Sequence, residues 1–194
     1  CANQRGEAYS IDKQEYLTNL AFSTAIAMDN AILYQETKSL AERDPLTGLY
    51  NQRLLYQHLA RESRRAQRSG KPLTFLMLDI DDFKQFNDKF GHQKGDEALR
   101  QIAQVLKEAL PETPYIYRYG GEEFCIILPG CKKAEGQPIA ESIYEAVQRN
   151  QCCVTLSIGW ATYPTDSRDM AEVIRLADAA MYEAKQSKKN RGLS

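Results

Sequence analysis

The chain has 194 residues, a hydrophobic fraction of 43% and a formal net charge of −1. These values exclude a disordered chain and a global basic field for nucleic acid, so an anionic substrate must be held by a local cluster or through a cation. No apolar run reaches the ~18 residues of a membrane span, and the start, Cys1 to Tyr9, lacks the basic-then-apolar pattern of a signal peptide.

The absence of an initiator Met leads us to expect a piece of a longer protein. The five cysteines, Cys1, Cys125, Cys131, Cys152 and Cys153, form no CxxC pair, and the histidines are only His58 and His92. Reduced, buried thiols of a cytosolic protein are expected rather than a zinc site.

From Ile11 to about Glu42 there is neither Pro nor Gly. Leu17, Ala21, Thr24, Met28 and Ala31 recur as in a heptad seam, and Phe22, Ile26, Leu33 and Leu40 add a second stripe. One long helix is predicted, able to pair between two subunits. Pro45 and Gly48 end it, which places a domain boundary between residues 1–42 and 43–194.

A helix is predicted over Gln52–Arg68, with Leu54, Leu55, His58 and Leu59 on one side. Leu73–Ile80 reads as a buried central strand, interrupted only by Asp79. A short helix follows over Asp82–Lys89, then a turn over Phe90–Gly95, with Asp96 opening the next helix. Tyr115–Tyr119 and Glu123–Leu128 read as strands of a hairpin joined at Gly120-Gly121. Pro138–Arg149 reads as a helix with Pro138 in its first turn, Cys152–Ala161 as a strand and Met170–Lys185 as a helix. The expected fold is therefore α/β, a mixed central sheet with flanking helices and an internal hairpin.

Two carboxylate sets stand out: Asp79, Asp81 and Asp82 at the end of the central strand, and Glu122 and Glu123 beside the hairpin turn. If the hairpin lies beside that strand the sets converge, and such a cluster suits Mg²⁺, which takes oxygen ligands, or a pair of such ions serving phosphoryl transfer. On spacing alone an ordinary hairpin with exposed glutamates fits equally well. Lys84 falls about one turn after the acidic end, and Asn87 shares its helix face. A carboxylate such as Asp96 can accept from the N1–H and 2-amino group of guanine, a match adenine cannot make, although a helix N-cap accounts for it too. The basic tail of Lys185, Lys188, Lys189 and Arg191 fits either a solvated helix end or a triphosphate contact.

Ordered motifs over residues 44–185 resemble the GGDEF domain family. Arg118-Tyr-Gly-Gly-Glu-Glu-Phe124 resembles its signature in a GGEEF variant. Asp44-Pro-Leu-Thr-Gly-Leu-Tyr-Asn51 is similar to its D-x-L-T-G-L-x-N segment, and Asp79-Ile-Asp-Asp-Phe-Lys-Gln-Phe-Asn87 to D-x-D-x-F-K-x-x-N. Phe90-Gly-His-Gln-Lys-Gly-Asp96 resembles F-G-H-x-x-G-D, and Ala177-Asp-Ala-Ala-Met-Tyr-Glu-Ala-Lys185 resembles A-D-x-A-x-Y-x-A-K.

The resemblance implies a fold similar to nucleotidyl cyclases and polymerase palms, and a diguanylate cyclase that condenses two GTP into cyclic di-GMP and pyrophosphate. It further implies that Asp79, the Ile80 carbonyl, Glu122 and Glu123 hold Mg²⁺, two ions per site with Mn²⁺ as a substitute. Glu122, Glu123 and Lys84 would act in catalysis. Asn87 and Asp96 would read guanine, with His92 and Phe83 close to the nucleotide and Lys84, Lys185 and Lys189 on phosphates. Two domains facing each other would form the working unit, a homodimer paired through the N-terminal helix, cytoplasmic, with no nucleic-acid or membrane partner in this stretch.

Two departures matter. Where many members of the family carry an Arg-x-x-Asp inhibitory site, this chain has Pro111-Glu-Thr-Pro114, so product inhibition there is not expected. Lys189 stands where Arg is usual, keeping the charge but losing the bidentate fork. Tyr16 to Tyr34 is similar to the last helix of a GAF-type sensor domain. The alternatives are a non-catalytic GTP- or cyclic di-GMP-binding module and a synthase of mixed cyclic GMP-AMP, against which Asp96 argues.

Overall fold

The computed structural model describes residues 16, 20–22, 24–30, 42–113 and 115–190, apart from the side chains of 189 and 190. The chain divides into two compact units, Cys1–Ala41 and Glu42–Ser194. In the first, the described residues are helical, with Tyr16, Leu20, Phe22, Ile26 and Met28 all exposed. Leu17, Ala31, Leu33 and Leu40 of the predicted stripes lie outside the described residues.

The second unit runs β1 (Tyr50–Asn51), α1 (Gln52–Ser69), β2 (Leu73–Ile80), α2 (Phe83–Phe90), α3 (His92–Ala109), β3 (Ile116–Gly120), β4 (Glu123–Pro129), α4 (Lys133–Arg149), β5 (Leu156–Tyr163) and α5 (Met170–Asn190). The 5-stranded sheet has the order β1-β3-β4-β2-β5. Only the β1–β3 pairing is parallel; β2 is antiparallel to both neighbours, β4 and β5. The sheet is mixed, as expected, and the hairpin does lie beside the central strand.

All eight residues of β2 are buried because helices cover both faces of the sheet. Leu76, Leu78 and Ile80 pack with Leu99, Ile102 and Leu106 of α3 and Ile143 of α4. Leu73, Phe75 and Met77 pack on the other face with Leu55 and Leu59 of α1 and Val173, Ala177 and Met181 of α5. That alternation is the period-2 geometry of a strand buried on both sides. Thr74 is fully buried too; its hydroxyl lies 2.7 Å from that of Thr162 on β5 and donates to the Cys131 carbonyl at 2.9 Å.

Local signals explain several boundaries. The Asn51 side chain accepts the Leu54 N–H at 3.0 Å and caps α1. Gly70 ends that helix with φ of 66°, the left-handed conformation glycine adopts freely. On β5, a Cβ at Gly159 would lie 2.1 Å from the Met181 nitrogen and 2.3 Å from the Ala177 carbonyl oxygen. Backbone of α5 therefore rests directly on backbone of β5, which only glycine permits.

Four expectations need correction. The turn over Phe90–Gly95 is shorter: α3 begins at His92, its N-cap is Gly91, and Asp96 lies inside the helix rather than capping it. α4 begins at Lys133, with Glu135 accepting the Lys132 N–H at 2.5 Å, so Pro138 lies beyond its first turn. Cys152–Thr155 precede β5 as a loop. Of the described cysteines only Cys125 is fully buried, against Met77, and Cys153 is exposed.

Candidate active site

The end of β2 is where the charged residues gather. Asp79 stands directly opposite Glu123 in the antiparallel β2–β4 register, so the two side chains share a face. The turn that follows places Glu122 beside Ile80, whose N–H donates to the Glu122 carbonyl at 3.3 Å. The turn residues are Gly121 and Glu122, between the paired Gly120 and Glu123, and only Gly121 takes the left-handed conformation, with φ of 50°.

Like charges facing each other at a buried strand end are costly unless a cation answers them. The answer here comes from α5. Lys185 Nζ lies 2.5 Å from Asp79 Oδ1. One turn later, Lys188 Nζ lies 3.0 Å from Asp81 Oδ2. Asp79, Asp81, Glu123, Asp178, Lys185 and Lys188 line one cleft of about 320 Å³. A larger cavity, about 530 Å³, lies at the opposite end of the sheet beside Leu73 and Pro129. It lacks this convergence of carboxylates and lysines, so the smaller cleft is the candidate site.

Burial pushes the Asp79 carboxyl above its usual range, aided by Glu122 and Asp81 and opposed by Lys185. Glu123 is pushed up in the same way by burial, with Asp79, Asp178 and Glu122 adding to it. Asp81 behaves differently. Burial opposes its charge, but hydrogen bonds from Ser157 at 2.5 Å, Thr155 at 2.6 Å and Lys188 outweigh it and hold the carboxyl below the usual range. Among the described residues, Asp79 is thus answered by a lysine alone, whereas Asp81 is saturated by fixed donors.

Among the described residues no three His, Cys, Asp or Glu side chains are drawn together closely enough to ligate an ion, and the Lys185 ammonium rests on Asp79 instead. The donor set nonetheless fits Mg²⁺: Asp79, the Ile80 carbonyl, Glu122 and Glu123 offer oxygen alone, with more negative charge than Lys185 neutralises.

On the other side of the strand end, Asp82 takes a left-handed φ of 49° and turns the chain into α2. The Asn87 side chain on α2 fits into the notch left by Gly95 on α3, where a Cβ would lie 1.9 Å from Asn87 Oδ1. That oxygen is buried without a hydrogen-bond partner among the described residues, an arrangement that calls for a donor from elsewhere. Phe83 is buried beside Gly95, Asp96 is half-buried on α3, and Lys84 and His92 are exposed. The fold thus brings together Asp79, Glu122, Glu123 and Lys185, and separately Asn87, Phe83 and the helix bearing Asp96. Lys84 and His92 stand at the surface, and the Lys189 side chain lies outside the described residues.

Sequence reasoning assigned no role to Arg118 or Asp44. Arg118 donates to the Gly121 carbonyl at 2.8 Å and 3.1 Å and to both Asp44 oxygens at 3.1 Å. Asp44 also accepts the Thr47 N–H at 2.8 Å and hydroxyl at 2.6 Å. Burial opposes the Asp44 charge, but these bonds hold its carboxyl below the usual range. Asp44 and Arg118 therefore brace the turn that carries Glu122. Their presence inside two separate motifs was the available signal.

The profile described as "Diguanylate cyclase, GGDEF domain" matches residues 41–191. The chain belongs to the GGDEF family. Among GGDEF relatives, diguanylate cyclase DosC of Escherichia coli K12 is 37% identical over 156 residues, covering 76% of this chain and 34% of DosC. An uncharacterized protein, YtrP of Bacillus subtilis, is 34% identical over 186 residues, covering 95% of this chain and 31% of YtrP. The chain therefore spans about a third of the length of these curated relatives. The solved coiled coil and GGDEF domain of DgcB from Caulobacter crescentus, in complex with c-di-GMP, superposes with a TM-score of 0.77 at 31% identity, covering 88% of this chain and 94% of that one. Diguanylate cyclase SiaD of Pseudomonas aeruginosa, solved with its activator SiaC, gives 0.68 at 31% identity, covering 96% and 75%. Among the described residues, no helix is long and apolar enough to cross a membrane.

Proposed function

We propose that this chain is a diguanylate cyclase that condenses two GTP into one cyclic di-GMP and two pyrophosphates. The observation that carries the reading is the Asp79–Glu123 pair at the end of β2, answered by Lys185 from α5. It is a site that already holds a cation against two carboxylates.

Asn87 accepts an N–H of guanine at its unpartnered Oδ1, and Asp96 accepts from the same base edge. Phe83 shapes the floor beside them, and His92 lies at the mouth. Lys84, Lys185 and Lys189 neutralise the triphosphate. Asp79, the Ile80 carbonyl, Glu122 and Glu123 hold the divalent ions. Bound Mg²⁺, two ions per site or Mn²⁺ in their place, supplies Lewis-acid neutralisation of the phosphate oxygens. Two domains face each other, and each 3′-hydroxyl attacks the α-phosphorus of the opposite GTP. An O–P bond forms, the bond to pyrophosphate breaks, and the hydroxyl proton passes to Glu122 or to water. The chain's part is mainly positioning and charge neutralisation.

Residues 1–42 serve as a signalling helix, the remnant of a GAF-type sensor, and pair two copies; the exposed Leu20, Phe22, Ile26 and Met28 support this. Residues 43–194 form the catalytic domain. Pro111-Glu-Thr-Pro114 leaves product inhibition without its usual arginine and aspartate. The substrate places the reaction in the cytoplasm.

The test is to incubate the chain with Mg²⁺ and GTP, or with GTP and ATP at equal concentration, and to separate the dinucleotides formed. Cyclic di-GMP should dominate both mixtures, and Glu122→Ala should abolish it. Dominant cyclic GMP-AMP, or nucleotide binding without product, would replace this reading with a mixed synthase or a binding module.

A further inference from the structure

Lys188 has no part in the reading above, yet it is the most heavily engaged lysine of the cleft. Its ammonium meets Asp81 Oδ2 at 3.0 Å, donates to the Leu156 carbonyl, and lies 5.1 Å from the Tyr144 ring centroid. An ammonium has three donors. Two are committed to oxygens, and the third side is covered by an aromatic face, a favourable position for a cation. One side chain thereby ties α5 to the end of β2, the start of β5 and the middle of α4.

The two lysines one turn apart differ in what they hold. The Asp81 side chain is 5% exposed and is filled by Thr155 and Ser157 as well as Lys188. Removing one donor leaves a buried carboxylate short of a partner, so this contact is fixed. Asp79 is buried too and lines the same cleft, but among the described residues its side chain is engaged by Lys185 alone, so that contact can be exchanged. α5 has a second fixed point at Gly159, where its backbone rests on β5. Lys185 lies beyond that point, on a turn tied to the sheet by its own exchangeable contact with Asp79 and by Lys188.

We propose that Lys188 is a positioning residue: it locks the last turns of α5 onto Asp81 and the start of β5, so that Lys185 is held over the carboxylate cleft and can change partner from Asp79 to a nucleotide phosphate. This rests on the cyclase reading for the identity of the nucleotide, but the lock belongs to the free protein. The ordering cost of a lysine is met before the nucleotide arrives, which is how preorganisation strengthens binding.

The test uses the whole 194-residue chain with guanosine 5′-[α,β-methylene]triphosphate and Mg²⁺, titrated by calorimetry. Lys188→Met should weaken binding roughly tenfold, the equivalent of one charge-assisted hydrogen bond, and Lys188→Arg should restore most of it. Lys185→Met should weaken the native chain but add little in the Lys188→Met background, because an unpositioned Lys185 has less to lose. Hydrogen exchange without nucleotide gives a second readout. Lys188→Met should speed exchange at the amides of residues 185–188 and leave those around Gly159 unchanged. Unaltered binding, or losses from the two lysines that simply multiply, overturns the positioning role and makes Lys188 a bystander or an independent phosphate contact. If the native chain binds no analogue, the cyclase reading falls, and the exchange measurement alone decides whether Lys188 locks the helix.

Discussion

At the scale of single residues, the Asn87–Gly95 contact joins a packing requirement to the proposed base-reading role. A methyl group at Gly95 would take the space of Asn87 Oδ1. Gly95→Ala should therefore displace the Asn87 side chain and weaken GTP binding by about tenfold or more, a loss of ~1.4 kcal/mol, with a smaller effect on unfolding. Calorimetric titration alongside urea denaturation separates the two. His58 offers a second case. Its Nδ1 lies 2.7 Å from the Tyr117 hydroxyl, and burial, with Arg61 nearby, holds its pKa below 6.5 despite Glu42 and Glu62. The unfolded chain thus binds the proton more readily than the folded one. Stability should fall as pH drops through 6.5 and level off below the folded value. In His58→Gln that segment of the urea-midpoint profile should be flat, whereas an unchanged slope would assign it to other groups. Arg118→Ala should leave Asp44 half-buried without its guanidinium and unbrace the turn of Glu122, reducing dinucleotide synthesis by more than its cost in stability of about 2 kcal/mol.

At the scale of elements, the sheet depends on close approach as much as on apolar area. Gly159→Ala forces α5 away from β5 against backbone atoms, and overpacking of this kind costs about 3 kcal/mol. The expected result is a lower melting temperature together with loss of nucleotide binding, because α5 carries Lys185. The same elements show what could be read in advance. β2 was legible to the residue, since an apolar run broken only near its end by Asp79 can hardly be placed anywhere but between two helical layers. β1 was not, because Tyr50–Asn51 become a strand only by pairing with β3. The first turn of α3 was hidden by Gly95, which reads as a breaker and is there to admit Asn87. Pro138 hid the start of α4, because proline marks a helix's first turn more often than its second. The Asp44–Arg118 brace spans 74 positions, beyond any local pattern.

At the scale of the whole molecule, the motifs placed most candidate residues at one end of the sheet, and the structure divides them between its two faces. Carboxylates and lysines lie on the α5 side, and Asn87, Phe83 and Asp96, the residues proposed to read the base, on the side of α2 and α3. In the proposed reaction each domain holds one nucleotide, and two are needed. Pyrophosphate release should therefore rise faster than linearly with protein concentration, and removing residues 1–41 should move that rise to higher concentration. A strictly linear rate would exclude the facing-domain mechanism. Division of a site between two faces also makes the parity of β2 decisive. Thr74 and Asp79 are an odd number of residues apart and point to opposite faces. A slip of one residue would exchange those faces, dropping a hydroxyl among the side chains of α1 and α5 and turning Asp79 away from Lys185. The Thr74–Thr162 hydroxyl pair at 2.7 Å is satisfied in one alignment only. It acts as an index pin about 17 Å from the carboxylates, setting which way they face before any nucleotide is met.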